Sequence, residues 1–160
     1  MWVVPYVLAI VAVNKLYMYL PLLQTPLGEV SAANLIVGSV FVLRDYAQRA
    51  IGHWVLLATF TAGVITWFMV DEALAVASLT AFTISEMTDW AVYTFTKMPL
   101  QRRILYSSMI SVPVDSLAFL YLFNMLNPAS FTVEVFSKIV GVAAVWVMLR
   151  QSTRRNPIYA

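Results

Sequence analysis

The chain has 160 residues, of which 61% are hydrophobic and only 11% are charged, and its mean hydropathy is +0.80. Soluble domains are about 45–50% apolar and about 25% charged, so this composition excludes an ordinary soluble domain and predicts an integral membrane protein in a lipid bilayer. The absence of cysteine excludes disulfides, zinc-thiolate sites and catalytic thiols. The net charge of +2 gives no indication of a nucleic-acid partner.

Six apolar segments have about the length, roughly 20 residues, that a helix needs to cross the hydrocarbon core of a bilayer. In chain order they are Trp2–Leu20, Leu27–Leu43, Trp54–Val70, Ala73–Phe95, Ile104–Leu126 and Phe131–Leu149. The breaks between them carry prolines or charges: Pro21 and Pro26, Arg44 to His53, Asp71 and Glu72, Lys97 to Arg103, and Asn127-Pro128. We therefore predict an all-α polytopic membrane protein, one transporter domain over residues 1–160, with six transmembrane helices in a single bundle.

The basic residues predict the orientation of these spans. With six spans, the loops after spans two and four share one side with the C-terminus, and this side holds 8 of the 10 basic residues. They are Arg44, Arg49, Lys97, Arg102, Arg103, Arg150, Arg154 and Arg155. The other side has only Lys15, and Lys138 lies within a span. The positive-inside rule then predicts a multi-pass protein of the cell (inner) membrane with both termini cytoplasmic. The first segment has no basic n-region and no A-x-A cleavage site, so we expect it to be retained rather than cleaved.

Four charged residues lie within the predicted spans: Glu86, Asp89, Asp115 and Lys138. Each would cost about 2.5–3.5 kcal/mol at membrane depth if it were left alone in lipid. We therefore expect them to converge on one cavity between spans four, five and six. Three acids and one base leave an excess of negative charge if all are ionised. This predicts either bound protons or a ligand that brings hydrogen-bond donors or positive charge, and it favours transport of a donor-rich ligand, with or without proton coupling.

Neighbouring polar and aromatic residues extend this candidate site. Glu86, Asp89 and Tyr93 share one helical face of span four, and Ser111 and Asp115 belong to a polar stripe on span five. Further candidates for ligand contacts are Asn34 in span two and Phe119 in span five. Each group also has a structural interpretation. Asp89 could lie at the interface, Glu86 and Asn34 could hydrogen-bond between helices, and Lys138 could pair with Asp115 or with Glu134.

The sequence lacks the motifs that mark several classes of function. The chain has no G-x-x-x-x-G-K-[ST] motif, its single histidine, His53, lies in a predicted loop, and no metal-ligand spacing occurs. We therefore expect no enzymatic activity, no metal and no cofactor.

Four stretches of sequence resemble the queuosine precursor transporter (VUT) family in order and spacing. They are FVLRDYAQRAIGH (residues 41–53), ISEMTDWAVY (84–93), SSMISVPVDSLAF (107–119) and FSKIVG (136–141), and the resemblance covers roughly residues 27–149. By position, Glu86 and Asp89 match the polar-x-x-Asp of span four in that family, Asp115 the aspartate of span five, and Lys138 the lysine of span six. Many members have glutamine at the position of Glu86.

The resemblance implies import of 7-cyano-7-deazaguanine or 7-aminomethyl-7-deazaguanine, by the chain alone or as a homodimer. A carboxylate, Asp115 or Glu86, would accept the N1–H and N2–H₂ donors of the base, and Lys138 would donate to its O6. Two alternatives stay open at this point. The chain could be the substrate-binding subunit of an ATP-driven vitamin importer, or a structural membrane protein whose buried charges only hold helices together.

Overall fold

The structure is a computed structural model that describes residues 2–26, 28–96 and 98–155. Two residues of the predictions above, Leu27 and Lys97, lie outside the described residues. Within the described part the chain forms six α-helices, a short 3-10 turn at Gly52–Trp54 and one two-stranded hairpin. The helices are α1 (Val3–Tyr19), α2 (Ala33–Ile51), α3 (Val55–Trp67), α4 (Glu72–Phe95), α5 (Leu100–Leu122) and α6 (Pro128–Arg155).

The helices confirm the predicted all-helical membrane class at a coarse level. Within the described residues, three helical stretches are long and apolar enough to cross a membrane: Ala33–Trp67, Arg102–Leu122 and Pro128–Gln151. The helix α1 is apolar but shorter. The helix α4 has the length of a span, at 24 residues, but carries the carboxylates Glu86 and Asp89 in its second half.

The largest departure from the predicted segments is at α2, which begins and ends later than the sequence indicated. The strand β2 (Gly28–Ser31) takes residues expected at the start of span two, and it pairs antiparallel with β1 (Leu22–Thr25) from the predicted break before that span, with Leu22 opposite Ser31. Proline cannot continue a helix, so the chain stays extended after Pro21 and turns at Pro26. At its other end α2 continues through the predicted loop to Ile51, and Gly52 ends it with a φ of 60°.

Two glycines set the crossing of α2 and α6. A Cβ at Gly38 would lie 2.2 Å from the carbonyl oxygen of Lys138, and a Cβ at Gly141 would lie 2.1 Å from the carbonyl oxygen of Leu35. Both obstacles are backbone atoms, so the two helices approach this closely only because neither position has a side chain. Small residues at helix crossings are typical of membrane proteins, where packing replaces the hydrophobic effect as the driving force. Elsewhere α4 packs along α5, and α1 packs against α2 and α3.

We predict that Gly38→Ala destabilises the protein by about 1–3 kcal/mol, because overpacking against backbone cannot be relieved by a side-chain rotation. The matched control is Gly63→Ala in α3, where the new Cβ would meet only the flexible side chain of Leu79, at 3.3 Å. Unfolding in mixed micelles of increasing SDS content would measure both variants. If the two variants were equally stable, backbone contact at Gly38 would not limit how closely α2 and α6 approach each other.

Candidate functional site

The first polar cluster is built around Lys138 of α6. Its Nζ lies 2.8 Å from Oδ2 of Asp115, contacts the Glu134 carboxylate one helical turn away, and donates to Oγ of Ser116 at 3.2 Å. Oδ1 of Asp115 accepts a hydrogen bond of 3.1 Å from Oγ of Ser85. The lysine and both acids are buried. We refer to Lys138, Asp115 and Glu134 as the lysine cluster; it holds two carboxylates and one cation.

A cavity of about 370 Å³ adjoins the lysine cluster. Glu134 lines it, as do Tyr17, which donates a hydrogen bond to Oδ1 of Asn34, and the ring of Phe119. A smaller recess of about 20 Å³ shares Tyr17 and Phe119 with the cavity and reaches Asp115 and Lys138. Hairpin residues Leu22, Val30 and Ser31 also line the cavity, so it lies at the end of the helices where the hairpin packs.

Aromatic rings form one wall of this cavity. The rings of Tyr17 and Phe119 lie 5.6 Å apart between centroids, and Phe119 stacks on Phe123 at 5.2 Å and an interplanar angle of 20°. The Nζ of Lys138 lies 5.8 Å from the Phe119 centroid. The cavity therefore combines flat apolar surfaces with two carboxylates, Glu134 and Asp71, an amide and a nearby cation, which is the usual composition of a small-molecule site.

The second polar cluster is built around Arg44 of α2. Its Nη1 lies 2.8 Å from Oδ1 of Asp45 and 2.8 Å from Oδ2 of Asp89, and its Nε lies 3.1 Å from Oε2 of Glu86. The guanidinium and all three carboxylates are buried. We refer to these four residues as the arginine cluster; it holds three carboxylates and one cation.

Hydroxyl groups from three further helices support the arginine cluster. The hydroxyl of Tyr6 in α1 donates to Oε2 of Glu86 at 2.9 Å, and Thr59 in α3 lies 2.6 Å from the same hydroxyl. Ser107 in α5 donates to Oδ2 of Asp45 at 2.9 Å. Five helices thus contribute to the cluster, which explains how so much charge is kept from lipid.

The two clusters lie in opposite halves of the helices. Arg44 and Asp89 belong to the later turns of α2 and α4, whereas Ser107 lies early in α5. The residues around the cavity lie toward the other ends of these helices, since Asn34 is at the start of α2 and Asp115 is in the second half of α5. The arginine cluster is therefore on the side of the predicted cytoplasmic loops, and the cavity is on the side of the hairpin.

The predicted burial of the four intramembrane charges is confirmed, since none of Glu86, Asp89, Asp115 and Lys138 is more than 5% exposed. Their predicted meeting in one cavity is wrong. Asp115 and Lys138 pair with each other beside the cavity, while Glu86 and Asp89 pair with Arg44. The reason is the position of Arg44. The sequence placed it in a loop, but the continued helix α2 carries it into the interior between α1, α4 and α5.

The other candidate residues divide between the two sides. Asn34 and Phe119 line the cavity. Ser111 is buried and donates to the backbone oxygen of Ser107 at 2.8 Å, close to the arginine cluster. The ring of Tyr93 lies 4.5 Å from the guanidinium carbon of Arg103 and 6.0 Å from that of Arg44. Tyr93 therefore packs against cations rather than at the cavity.

Sequence reasoning missed three residues of the site: Arg44 and Asp45, which it placed in a loop, and Glu134, which it treated as part of a surface pair. A signal for Arg44 was present. Val37, Val40, Phe41, Arg44, Asp45 and Gln48 continue the 3.6-residue period of buried positions in α2. The Glu134–Lys138 ion pair has the predicted spacing of four residues but is buried rather than exposed.

Within the described ranges, no group of histidine and carboxylate side chains has the arrangement of a metal site. Comparison with known protein families, curated proteins and solved structures finds no match to this chain.

Proposed function

We propose that the protein imports a 7-deazaguanine precursor of queuosine, 7-cyano-7-deazaguanine or 7-aminomethyl-7-deazaguanine, across the inner membrane. The observation that carries this proposal is the cavity of about 370 Å³ beside a buried lysine and two carboxylates. Charged residues inside membrane segments usually mark a substrate or ion pathway, because lipid does not tolerate them unpaired. The resemblance of four sequence stretches to the queuosine precursor transporters supplies the substrate.

The chemistry of the cavity suits a flat base with donors on one edge. A guanine-like edge presents N1–H and N2–H₂ side by side, and a carboxylate can accept both. Glu134 and Asp71 line the cavity, and Asp115 lies in the adjoining recess. Asp71 is exposed and its Oδ1 already accepts from the backbone N–H of Leu74 at the start of α4, so we assign the base to Glu134 and Asp115.

Lys138 is the cation nearest to the cavity; its three donors bond Asp115, Ser116 and Glu134, so a hydrogen bond to O6 would replace the one to Ser116. Phe119 and Tyr17 supply faces for stacking. Glu86 belongs to the arginine cluster, so we do not assign it to the base.

The cavity size supports a small ligand. Small-molecule sites range over about 300–1,000 Å³, and this cavity is near the lower end. We further propose that all six helices span the bilayer and that both termini are cytoplasmic. This topology puts the hairpin and the cavity on the outer face, where an imported ligand would first bind.

The test is equilibrium binding of 7-cyano-7-deazaguanine to the purified protein in detergent. We expect the wild type to bind it and to bind an adenine-like analogue poorly, because that analogue lacks the paired donors. Glu134→Gln and Asp115→Asn each replace an acceptor oxygen by a donor and leave a ligand donor unpaired. Each should cost about 1–3 kcal/mol, which is roughly a tenfold to more than a hundredfold loss of affinity.

The control for these variants is Glu72→Gln, which makes the same change at an exposed carboxylate in the first turn of α4. It should bind the base as the wild type does. Unchanged affinity in both Glu134→Gln and Asp115→Asn would contradict the proposed recognition of the base by these carboxylates. A wild type that binds no deazapurine would remove the substrate assignment as well.

A further inference from the structure

The arginine cluster has too little positive charge for its acids. Arg44 faces Asp45, Glu86 and Asp89, and none of the four has side-chain exposure above 1%. The hydroxyls around them are those of Tyr6 in α1, Thr59 in α3, and Ser107 and Ser111 in α5. The ring of Tyr93 in α4 lies 6.0 Å from the guanidinium of Arg44, and the guanidinium of Arg103 in α5 lies 4.5 Å from the same ring. With every acid ionised, the cluster would hold two uncompensated negative charges at a site without water contact, where isolated charges are most costly.

The hydrogen bonds of the three acids differ. Both oxygens of Asp45 accept hydrogen bonds, from Arg44 and from Ser107. Oε2 of Glu86 accepts from Tyr6 and Arg44, while its Oε1 has no partner among the described groups. Neither oxygen of Asp89 has a well-aligned hydrogen bond within the described ranges, although the side chain is fully buried and Nη1 of Arg44, at 2.8 Å, and the hydroxyls of Ser107 and Ser111 lie beside it.

The same nitrogen of Arg44 also contacts Asp45. Because each carboxylate oxygen is 2.8 Å from Nη1, the two oxygens are no more than twice that distance apart. Two carboxylates on one guanidinium nitrogen in a dry interior do not both ionise readily, and a proton placed on one of them can be shared with the other. A buried carboxyl that shares its nearest cationic donor with a fully hydrogen-bonded carboxylate has the arrangement expected of a proton site.

We propose that Asp89 binds a proton, shared with Asp45, and that this proton couples transport to the transmembrane proton gradient. The coupling rests on the proposed function; the proton site does not. The carboxylate of Asp89 takes up one proton when it is open to water and releases the same proton when the arginine cluster opens to the cytoplasmic side. The location fits this role, because the cluster lies in the half of the helices opposite the cavity. The hydroxyl groups around it belong to α1, α3 and α5.

The proton site is tested without any ligand, by infrared spectroscopy of the purified protein near neutral pH. A protonated carboxyl group has a C=O stretch separated from the carboxylate and amide bands. We expect Asp89→Asn to remove one component of this band, whereas the exposed-site control Glu72→Gln should leave the band unchanged. A wild type without a protonated-carboxyl band, or an Asp89→Asn variant that retains the full band, would overturn the proposal.

The coupling is tested in proteoliposomes loaded with unlabelled 7-cyano-7-deazaguanine or subjected to an inward proton gradient. We expect wild type to accumulate labelled base when the gradient is imposed, and Asp89→Asn to lose this accumulation while still exchanging labelled for unlabelled base. Accumulation by Asp89→Asn at the wild-type level would overturn the coupling. If the infrared component is lost in the variant but wild type binds no deazapurine, the proton site stands and the proposed substrate fails.

Discussion

Arg44→Met is expected to be the most damaging single substitution in this protein. It removes the only cation in contact with Asp45, Glu86 and Asp89 among the described residues, and it leaves those buried acids facing one another. Removing one partner of a buried ion pair costs about 3–5 kcal/mol, and three acids depend on this guanidinium, so the loss should reach at least that range. The measurement is the apparent Tm in mild detergent together with the yield of monodisperse protein.

Arg49→Met is the matched control for this substitution. Arg49 belongs to the same helix but is exposed, so its removal should change the apparent Tm little. A second variant tests the electrostatic cause. Adding Glu86→Gln to Arg44→Met removes one of the abandoned charges and should recover part of the lost stability. If the double variant is no more stable than Arg44→Met, the arginine acts through its packing and not through its charge.

Lys138→Met is expected to have the second largest effect. The change keeps a long side chain in α6 but leaves Asp115 and Glu134 buried without their cation. The expected cost is again about 3–5 kcal/mol of stability. If Lys138 takes part in binding as the proposed function has it, any protein that remains folded should bind 7-cyano-7-deazaguanine at least tenfold more weakly.

Glu134→Gln separates the role of the lysine from that of its neighbour. This variant leaves Lys138 paired with Asp115 at 2.8 Å, so it should lose clearly less stability than Lys138→Met. Both can be compared by SDS titration in mixed micelles. Equal destabilisation by the two would mean that Lys138 does not compensate Asp115, contrary to the observed contact.

The sequence by itself determined the class of protein and, closely, the positions of three of the six helices. Hydropathy is a local property, so the apolar segments predict α1, α3 and α4 to within about three residues at each end. The burial of Glu86, Asp89, Asp115 and Lys138 was also predictable, because lipid excludes an unpaired charge wherever the helix is placed. The hairpin was not predicted, although Pro21 and Pro26 marked the break that it fills.

Only the tertiary structure decided which charge pairs with which. Glu86 and Arg44 are 42 residues apart and Lys138 and Asp115 are 23 apart, so their contacts depend on which helices lie side by side. The close crossing of α2 and α6 at Gly38 and Gly141, and the packing of α4 along α5, set those neighbours. Arg44 shows the difference most clearly. Because it is charged, the sequence pattern predicted that Arg44 lies in a loop. In the structure three acids from α2 and α4 compensate its charge in the interior. A local hydropathy pattern does not contain such compensation between helices.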